Sequence, residues 1–229
     1  MIPWLEADAP FPPVEQALRE PNGLLCAGAD LSLARLLDAY RRGVYPWYSG
    51  DEPILWWSPD PRMVLYCDEL KVSRSLAKSV RNRGYEVRLD SAFRRVLEGC
   101  AGPRRGEGGT WLGADMRRAY AALHRAGYAH SVETWKDGEL VGGLYGVALG
   151  RMFYGESMFS RATDASKVAL VALVGELRGR GFPLVDCQMR TPLLASLGAR
   201  EIPRHVFLRQ VSRLVNYADP PGSWQRRRA

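Results

Sequence analysis

The apolar and polar positions along this chain change character about sixty residues in. Before that point the only clear helix runs from Ser32 to about Arg42, with Ser32 as N-cap and Gly43 as its stop. Around it stand Pro3, Pro10, Pro12, Pro13, Pro21, Pro46, Pro53, Pro59 and Pro61. Proline fixes φ and removes a donor, so the stretch reads as a loop-rich lobe. Beyond it the texture becomes α/β. Met63 to Tyr66 reads as a strand, Ser73 to Arg83 as a basic helix ending at Gly84, and Ser91 to Glu98 as another ending at Gly99. Asp115 caps a helix to Ala126, stopped by Gly127.

A meander follows. His130 to Trp135 is strand-like, Lys136-Asp137-Gly138 is a hairpin turn, and Glu139 to Ala148 is the next strand. Gly150 turns the chain into Arg151 to Glu156. Asp164 or Ser166 caps a helix to about Arg178, whose Leu170, Leu173, Val174 and Leu177 share one face. Leu184 to Gln188 is a short strand, and Pro203 to Val215 a helical tail. Antiparallel strands, then a helix, then a strand packed on it form an α+β order. The expected organisation is a small Pro/Trp-rich lobe over residues 1–62 and a GNAT-like (N-acetyltransferase-like) domain over 63–229. Its sheet should be mixed and mostly antiparallel, and fold alone does not assign function.

Composition refines this picture. With 46% hydrophobic and 25% charged residues the chain can bury a core. No stretch approaches the roughly 18 apolar residues of a membrane span. Met1-Ile2-Pro3-Trp4-Leu5-Glu6 shows neither a basic start nor an apolar run, so no secretory signal is read and a cytoplasmic location is expected. Cys26, Cys67, Cys100 and Cys187 lie far apart, without zinc or redox spacing, and are expected to be reduced. His124, His130 and His205 form no recognisable triad or metal pattern.

Charge is uneven. Lys71 to Arg105 carries ten Lys and Arg against three acids, which accounts for the whole net charge of +7. A localised basic face attracts a phosphate backbone, although a solvated helix face has the same composition.

Several blocks are specific beyond composition. They include Glu20-Pro21-Asn22-Gly23-Leu24-Leu25, Tyr45-Pro46-Trp47-Tyr48-Ser49, Ile54-Leu55-Trp56-Trp57-Ser58-Pro59-Asp60-Pro61-Arg62 and Gly109-Thr110-Trp111. Leu140 to Val147, Gly155-Glu156-Ser157-Met158-Phe159-Ser160-Arg161, Val185-Asp186-Cys187-Gln188 and Ser196-Leu197-Gly198-Ala199 complete the set. In order and spacing, over nearly the whole chain, they resemble the leucyl/phenylalanyl-tRNA–protein transferase family. The resemblance implies transfer of Leu or Phe, less readily Met, from aminoacyl-tRNA to a protein with N-terminal Arg or Lys, marking it for N-end-rule degradation. It implies no cofactor: neither ATP, metal nor coenzyme A. A monomer is expected.

The resemblance also places a site. Asp186 and Gln188 are its catalytic pair; two apart on a strand, they should leave the same face. Asp186 is expected to orient Gln188, and Gln188 to aim the amine at the ester carbonyl. Trp47, Trp111 and Glu156 match the family's contacts to the 3′-terminal adenosine, although each Trp alone would read as core packing. Leu144, Phe153, Met158, Leu170, Leu173 and Val185 match its aminoacyl side-chain pocket. Strict alternation would put Phe153 and Met158 on opposite faces, so a bulge or turn near Glu156 is required. The family often has bulkier residues at 144 and 173, so a roomier pocket favouring Phe over Leu is expected. Arg74, Lys78, Arg81 and Arg83, at helical spacing, are assigned to tRNA backbone phosphates. After Gln188 the family usually has Asn and His; here the chain reads Met189-Arg190-Thr191-Pro192-Leu193-Leu194-Ala195.

Two alternatives compete. An acetyl-CoA-dependent N-acetyltransferase would need an Arg/Gln-x-x-Gly-x-Gly/Ala turn before a helix; Gly106-Glu107-Gly108-Gly109 is the nearest Gly-rich stretch and lacks the pattern. A non-catalytic RNA-binding protein would leave Asp186 and Gln188 idle.

Overall fold

The computed structural model describes residues 2–50, 52–102, 112–218 and 222–225. The first sixty residues hold more regular structure than their prolines suggest. Strands β1 (Trp4–Leu5), β2 (Leu24–Gly28), β3 (Tyr45–Pro46) and β4 (Leu55–Trp57) form a sheet in the order β1-β2-β4-β3. These strands span only two to five residues, too short to show alternation in the sequence. Helix α1 (Leu33–Arg41) begins as expected, with the Ser32 hydroxyl accepting from the Arg35 amide at 3.3 Å, and Gly43 follows it at φ 68°.

The second sheet has seven strands among the described residues: β5 (Arg62–Tyr66), β6 (Glu86–Leu89), β7 (Ala129–Lys136), β8 (Glu139–Leu149), β9 (Met152–Ser160), β10 (Leu184–Gln188) and β11 (Arg200–Ile202). Their order is β11-β5-β10-β9-β8-β7-β6, and of the six neighbouring pairs only β9–β10 is parallel. The fold is therefore α+β with a mixed, mostly antiparallel sheet of GNAT-like order. The β7–β8 hairpin turns through Asp137 at φ 51° and Gly138 at φ 79°, the two positive φ values of a mirror-image tight turn.

Six further helices are described: α2 (Arg74–Asn82), α3 (Phe93–Cys100), α4 (Ala114–Arg125), α5 (Ala165–Gly179), α6 (Pro192–Ser196) and α7 (Arg204–Leu214). Side chains along the seven-stranded sheet alternate between two cores. Val64, Tyr145, Val147 and Tyr154 join one shared with α1, α3, α4, α7 and the small sheet. Met63, Leu65, Leu144 and Phe153 join another with α2 and α5.

Local expectations are corrected in several places. Gly99 lies inside α3 rather than after it, and its lack of a side chain makes room for the Phe159 ring, 2.7 Å from where a Cβ would stand. Asp115 sits in the first turn of α4, paired with Arg118, and Gly113 occupies the cap position. Asp164 holds the N-cap position of α5 but does not cap it; its carboxylate takes the Ser79 hydroxyl at 2.7 Å and the Lys167 amine at 2.9 Å. Strands β6 and β11 and the five-residue α6 have no counterpart in the sequence pattern. β6 is an edge strand with polar residues interleaved, and the other two are very short.

After α7 the chain returns across the body. The Trp224 amide donates to Asp90 at 2.7 Å, and its indole stacks on His130 at 4.0 Å. His130 bonds Asp90 at 2.9 Å and His124 stacks on Phe93, so both rings serve packing. Among the described residues no helix is long and apolar enough to cross a membrane.

Gly142 on β8 lets the start of α5 lie close, for a Cβ there would meet the Ala165 Cβ at 2.5 Å and backbone at 2.9 Å. Gly142→Ala should cost about 1–3 kcal/mol. Thermal unfolding checks this, as a Tm lower by a few degrees per kcal/mol.

Candidate active site

The site begins where the sheet stops being regular. β9 pairs with β10 only through Met152, Phe153 and Tyr154, while it stays paired with β8 as far as Ser160. Beyond Tyr154 the two central strands part. Each carries an extra residue at that level. Against β8 the register jumps from Ser157 to Gly155, leaving Glu156 as a bulge, where the sequence required one. Against β5 it jumps from Asp186 to Gln188, leaving Cys187 as a second bulge.

The second bulge corrects the expectation that Asp186 and Gln188 share a face. Their partners on β5 are the adjacent residues Val64 and Met63, so the two side chains leave opposite faces. Gln188 turns into the cavity, with its backbone at φ 60°. Asp186 is fully buried on the other side, gripped by Arg62, whose Nε donates to Oδ1 at 2.8 Å and Nη2 to Oδ2 at 2.6 Å. The third guanidinium nitrogen donates to the Gly43 carbonyl at 3.1 Å, and the group lies between the Tyr45 and Phe207 rings. The contact from Asp186 to Gln188 runs through the backbone: the Gln188 amide donates to Asp186 Oδ1 at 2.9 Å. That bond supports a left-handed conformation uncommon outside glycine.

The cavity measures about 1420 Å³. Its wall from the large sheet and α5 is apolar: Leu144, Met158, Leu170, Leu173 and Val185 line it. Phe153 does not. It shares a face with Met158 but is fully buried deeper in the core, against Gly146 and Trp224. The facing wall, from residues 45–57, is aromatic. Trp47 is 37% exposed and meets Trp57 edge-on at 5.4 Å, while the Trp57 indole donates to the Trp47 carbonyl at 2.6 Å. Trp111 and Arg226 to Arg228 lie outside the described residues.

Glu156 and Gln188 bridge the parted strands, with the Gln188 amide donating to Glu156 Oε1 at 3.3 Å. Tyr40 on α1 and Tyr120 on α4 donate to the two oxygens of Glu156 at 2.8 and 2.6 Å. Burial pushes the Glu156 carboxyl up to about 7, although the two tyrosine hydrogen bonds and Arg62 hold it down. Nothing in the sequence pattern singles out Tyr40, Tyr120 or Arg62. The available signal is that a carboxylate set among apolar residues, as Glu156 and Asp186 are, needs partners.

In place of the family's polar pair after Gln188 stands Met189, 46% exposed on the cavity lip. Thr191, two residues on, caps α6, whose Leu193 and Leu194 extend the apolar wall. Arg74, Lys78 and Arg81 fall within one exposed stripe of α2. Arg83 does not belong to that stripe. It is the C-cap residue, bonded to the Ser79 hydroxyl at 3.1 Å.

The sheet thus parts between its parallel central pair and opens onto a cleft that Gln188 faces. Comparison with known proteins places the chain in a family. A family model described as Leucyl/phenylalanyl-tRNA protein transferase matches residues 64–212, and that of the family's N-terminal domain matches 29–60. A Leucyl/phenylalanyl-tRNA–protein transferase of Nitrosospira multiformis is 60% identical over 224 residues, covering 98% of this chain and 97% of its own. One of Thiobacillus denitrificans is 63% identical over 214 residues, covering 93% and 94%. Among solved structures, a GCN5-related N-acetyltransferase from Kribbella flavida aligns at 11% identity and TM-score 0.39 over 74% of this chain and 60% of that one, too remote to bear on function. The chain belongs to the leucyl/phenylalanyl-tRNA–protein transferase family, and it is an aminoacyltransferase.

Removing one partner of a buried ion pair leaves the other charge uncompensated, at about 3–5 kcal/mol. Asp186→Ala should therefore destabilise the fold by about that amount as well as slow transfer, and urea unfolding of Asp186→Ala beside Gln188→Ala separates the two effects. Equal stability of Asp186→Ala and wild type would contradict the account of Arg62.

Proposed function

We propose that this chain moves Leu or Phe, less readily Met, from aminoacyl-tRNA to the N-terminal Arg or Lys of acceptor proteins, marking them for N-end-rule degradation. The observation that carries the reading is the cleft at the parted strands. There Gln188 stands between an apolar pocket and an exposed tryptophan. A volume of about 1420 Å³ exceeds the usual small-ligand pocket of about 300–1,000 Å³, leaving room for donor and acceptor together.

In this reading the donor side chain enters the pocket of Leu144, Met158, Leu170, Leu173 and Val185, with Phe153 supporting it from behind. The terminal adenosine stacks on Trp47 and Trp111, and Glu156 accepts a hydrogen bond from it. The ester is already activated. An α-amine has a pKa near 7.7–8.0, so part of it is neutral at pH 7. The Gln188 side-chain oxygen accepts an amine N–H and aims the lone pair at the ester carbonyl. The C–N bond forms, the ester C–O bond breaks, and the ribose oxygen leaves with a proton from the amine. Asp186 acts from behind by fixing the Gln188 backbone. The exposed α2 stripe of Arg74, Lys78 and Arg81, with Arg83 beyond it, takes acceptor-stem phosphates. Residues 1–62 serve as a lobe that supplies the aromatic wall, and 63–229 as the acyl-transfer domain.

Coenzyme A fits less well. The chain entering α5 reads Ser160-Arg161-Ala162-Thr163-Asp164, without glycine, and puts the Asp164 carboxylate where a pyrophosphate would need the helix N-terminus.

The decisive experiment offers Phe-tRNA, Leu-tRNA or acetyl-CoA to the protein with an Arg-starting peptide. Transfer is expected from both tRNAs, with Phe ahead by no more than about tenfold, since a methylene is worth about 0.8 kcal/mol. Acetylation without aminoacyl transfer would sink the reading. Base stacking contributes about 1–3 kcal/mol, so Trp47→Ala should raise KM for the tRNA roughly tenfold with a smaller change in kcat. Neutralising Arg74, Lys78 and Arg81 should flatten the salt dependence of binding, lowering the log-log slope by about one for each phosphate that is no longer neutralised.

A further inference from the structure

Three contacts join Glu156 and two tyrosines in a closed triangle. Tyr40 OH lies 2.8 Å from Oε1, Tyr120 OH lies 2.6 Å from Oε2, and the two hydroxyls lie 2.9 Å from each other. The triangle closes, yet with Glu156 ionised it holds only two protons, one on each phenol. Both cannot donate to the carboxylate and also to each other. One contact always lacks a hydrogen. A third proton on the carboxyl completes the ring, each group donating once and accepting once. The cluster therefore has a place for one more proton, while the two phenol donors favour the ionised carboxylate until that proton arrives. Both tyrosine side chains are fully buried, so water does not supply it from their side.

Glu156 also lines the cavity, and its Oε1 is 3.3 Å from the Gln188 amide nitrogen. With its N–H₂ side turned to Glu156, Gln188 presents its oxygen to the acceptor. An amine held there is within reach of the carboxylate, directly or through one water.

We propose that Glu156, held by Tyr40 and Tyr120, takes the proton that the acceptor's α-ammonium must lose before it attacks the ester. This rests on the transferase reading above and adds a catalytic residue to it. The protons balance. The ammonium gives its first proton to Glu156 and becomes the nucleophile. After the C–N bond forms, a second proton moves from nitrogen to the departing ribose oxygen. Glu156 then returns its proton to solvent as products leave. Tyr40 and Tyr120 are positioning residues. Behind the cluster Asp186 raises the proton affinity of Glu156 and Arg62 lowers it, while desolvation dominates and brings the group to about 7, close to that of the amine it serves.

The test is the pH profile of kcat, with saturating Phe-tRNA and Arg-starting peptide, for wild type, Glu156→Gln and Tyr40→Phe/Tyr120→Phe. Glu156→Gln should be slower by roughly tenfold at pH 6.5, where only a few per cent of the amine is neutral, and the deficit should shrink above about pH 8.5, where the amine is already neutral. The tyrosine double variant removes the donors that stabilise the carboxylate. Its acid limb should therefore move to higher pH while KM for the tRNA stays close to wild type. A deficit in Glu156→Gln that is equal at every pH, or an acid limb unmoved in the tyrosine variant, overturns the assignment and leaves the transferase reading intact. A wild type that transfers nothing at any pH removes both.

Discussion

Everything at the cleft rests on one buried ion pair. Arg62 opens β5, the first strand of the large sheet to follow the small one, and its guanidinium reaches three places at once. It grips the Asp186 carboxylate on β10, donates to the Gly43 carbonyl at the end of α1, and lies between Tyr45 of β3 and Phe207 of α7. A lone charge at zero exposure would cost several kcal/mol, so neither partner is tolerable without the other. The pair need not add net stability to the fold. Its effect is to fix one arrangement of β5, β10, α1 and α7, and hence the place where Gln188 emerges.

The cleft around that point divides its labour by material. Aliphatic side chains from the sheet and α5 offer dispersion and water exclusion without direction. The aromatic wall from residues 45–57 offers flat polarisable faces. The few polar groups sit between them, each held by buried partners rather than by solvent. Preorganisation of this kind suits a reaction whose donor is already activated. Little covalent chemistry is left for the protein, and most of the barrier it can remove is orientation and proton placement.

Much of this is legible in the sequence, and the failures have physical causes. The helix after Ser32, the Asp137-Gly138 hairpin, the β8 to β10 succession and the α+β order follow from caps, turn residues and periodicity. The need for a bulge near Glu156 follows from parity once the family resemblance places Phe153 and Met158 on one face. The bulge at Cys187 leaves no such trace. No second residue demands a parity change there, so simple alternation puts Asp186 and Gln188 on one face. The small sheet is hidden because strands of two to five residues are too short to show a period. Gly99 reads as a helix stop because glycine punctuates chains, whereas here it makes room for Phe159. The tyrosines that hold Glu156 and the arginine that holds Asp186 lie 36 to 124 positions away, which local pattern does not reach.

The paired bulges of β9 and β10 have a consequence for how such a site is encoded. Its opening is written in residue count more than in residue identity. Exchanging the side chain at 156 or 187 alters the chemistry but keeps the strands apart. Deleting either residue would return its strand to even register and swing every side chain beyond it to the opposite face. Across variants of this chain the mouth of the cleft should therefore keep its shape through substitution and lose it on single-residue insertion or deletion, a length constraint that a position-by-position view of mutational tolerance would miss.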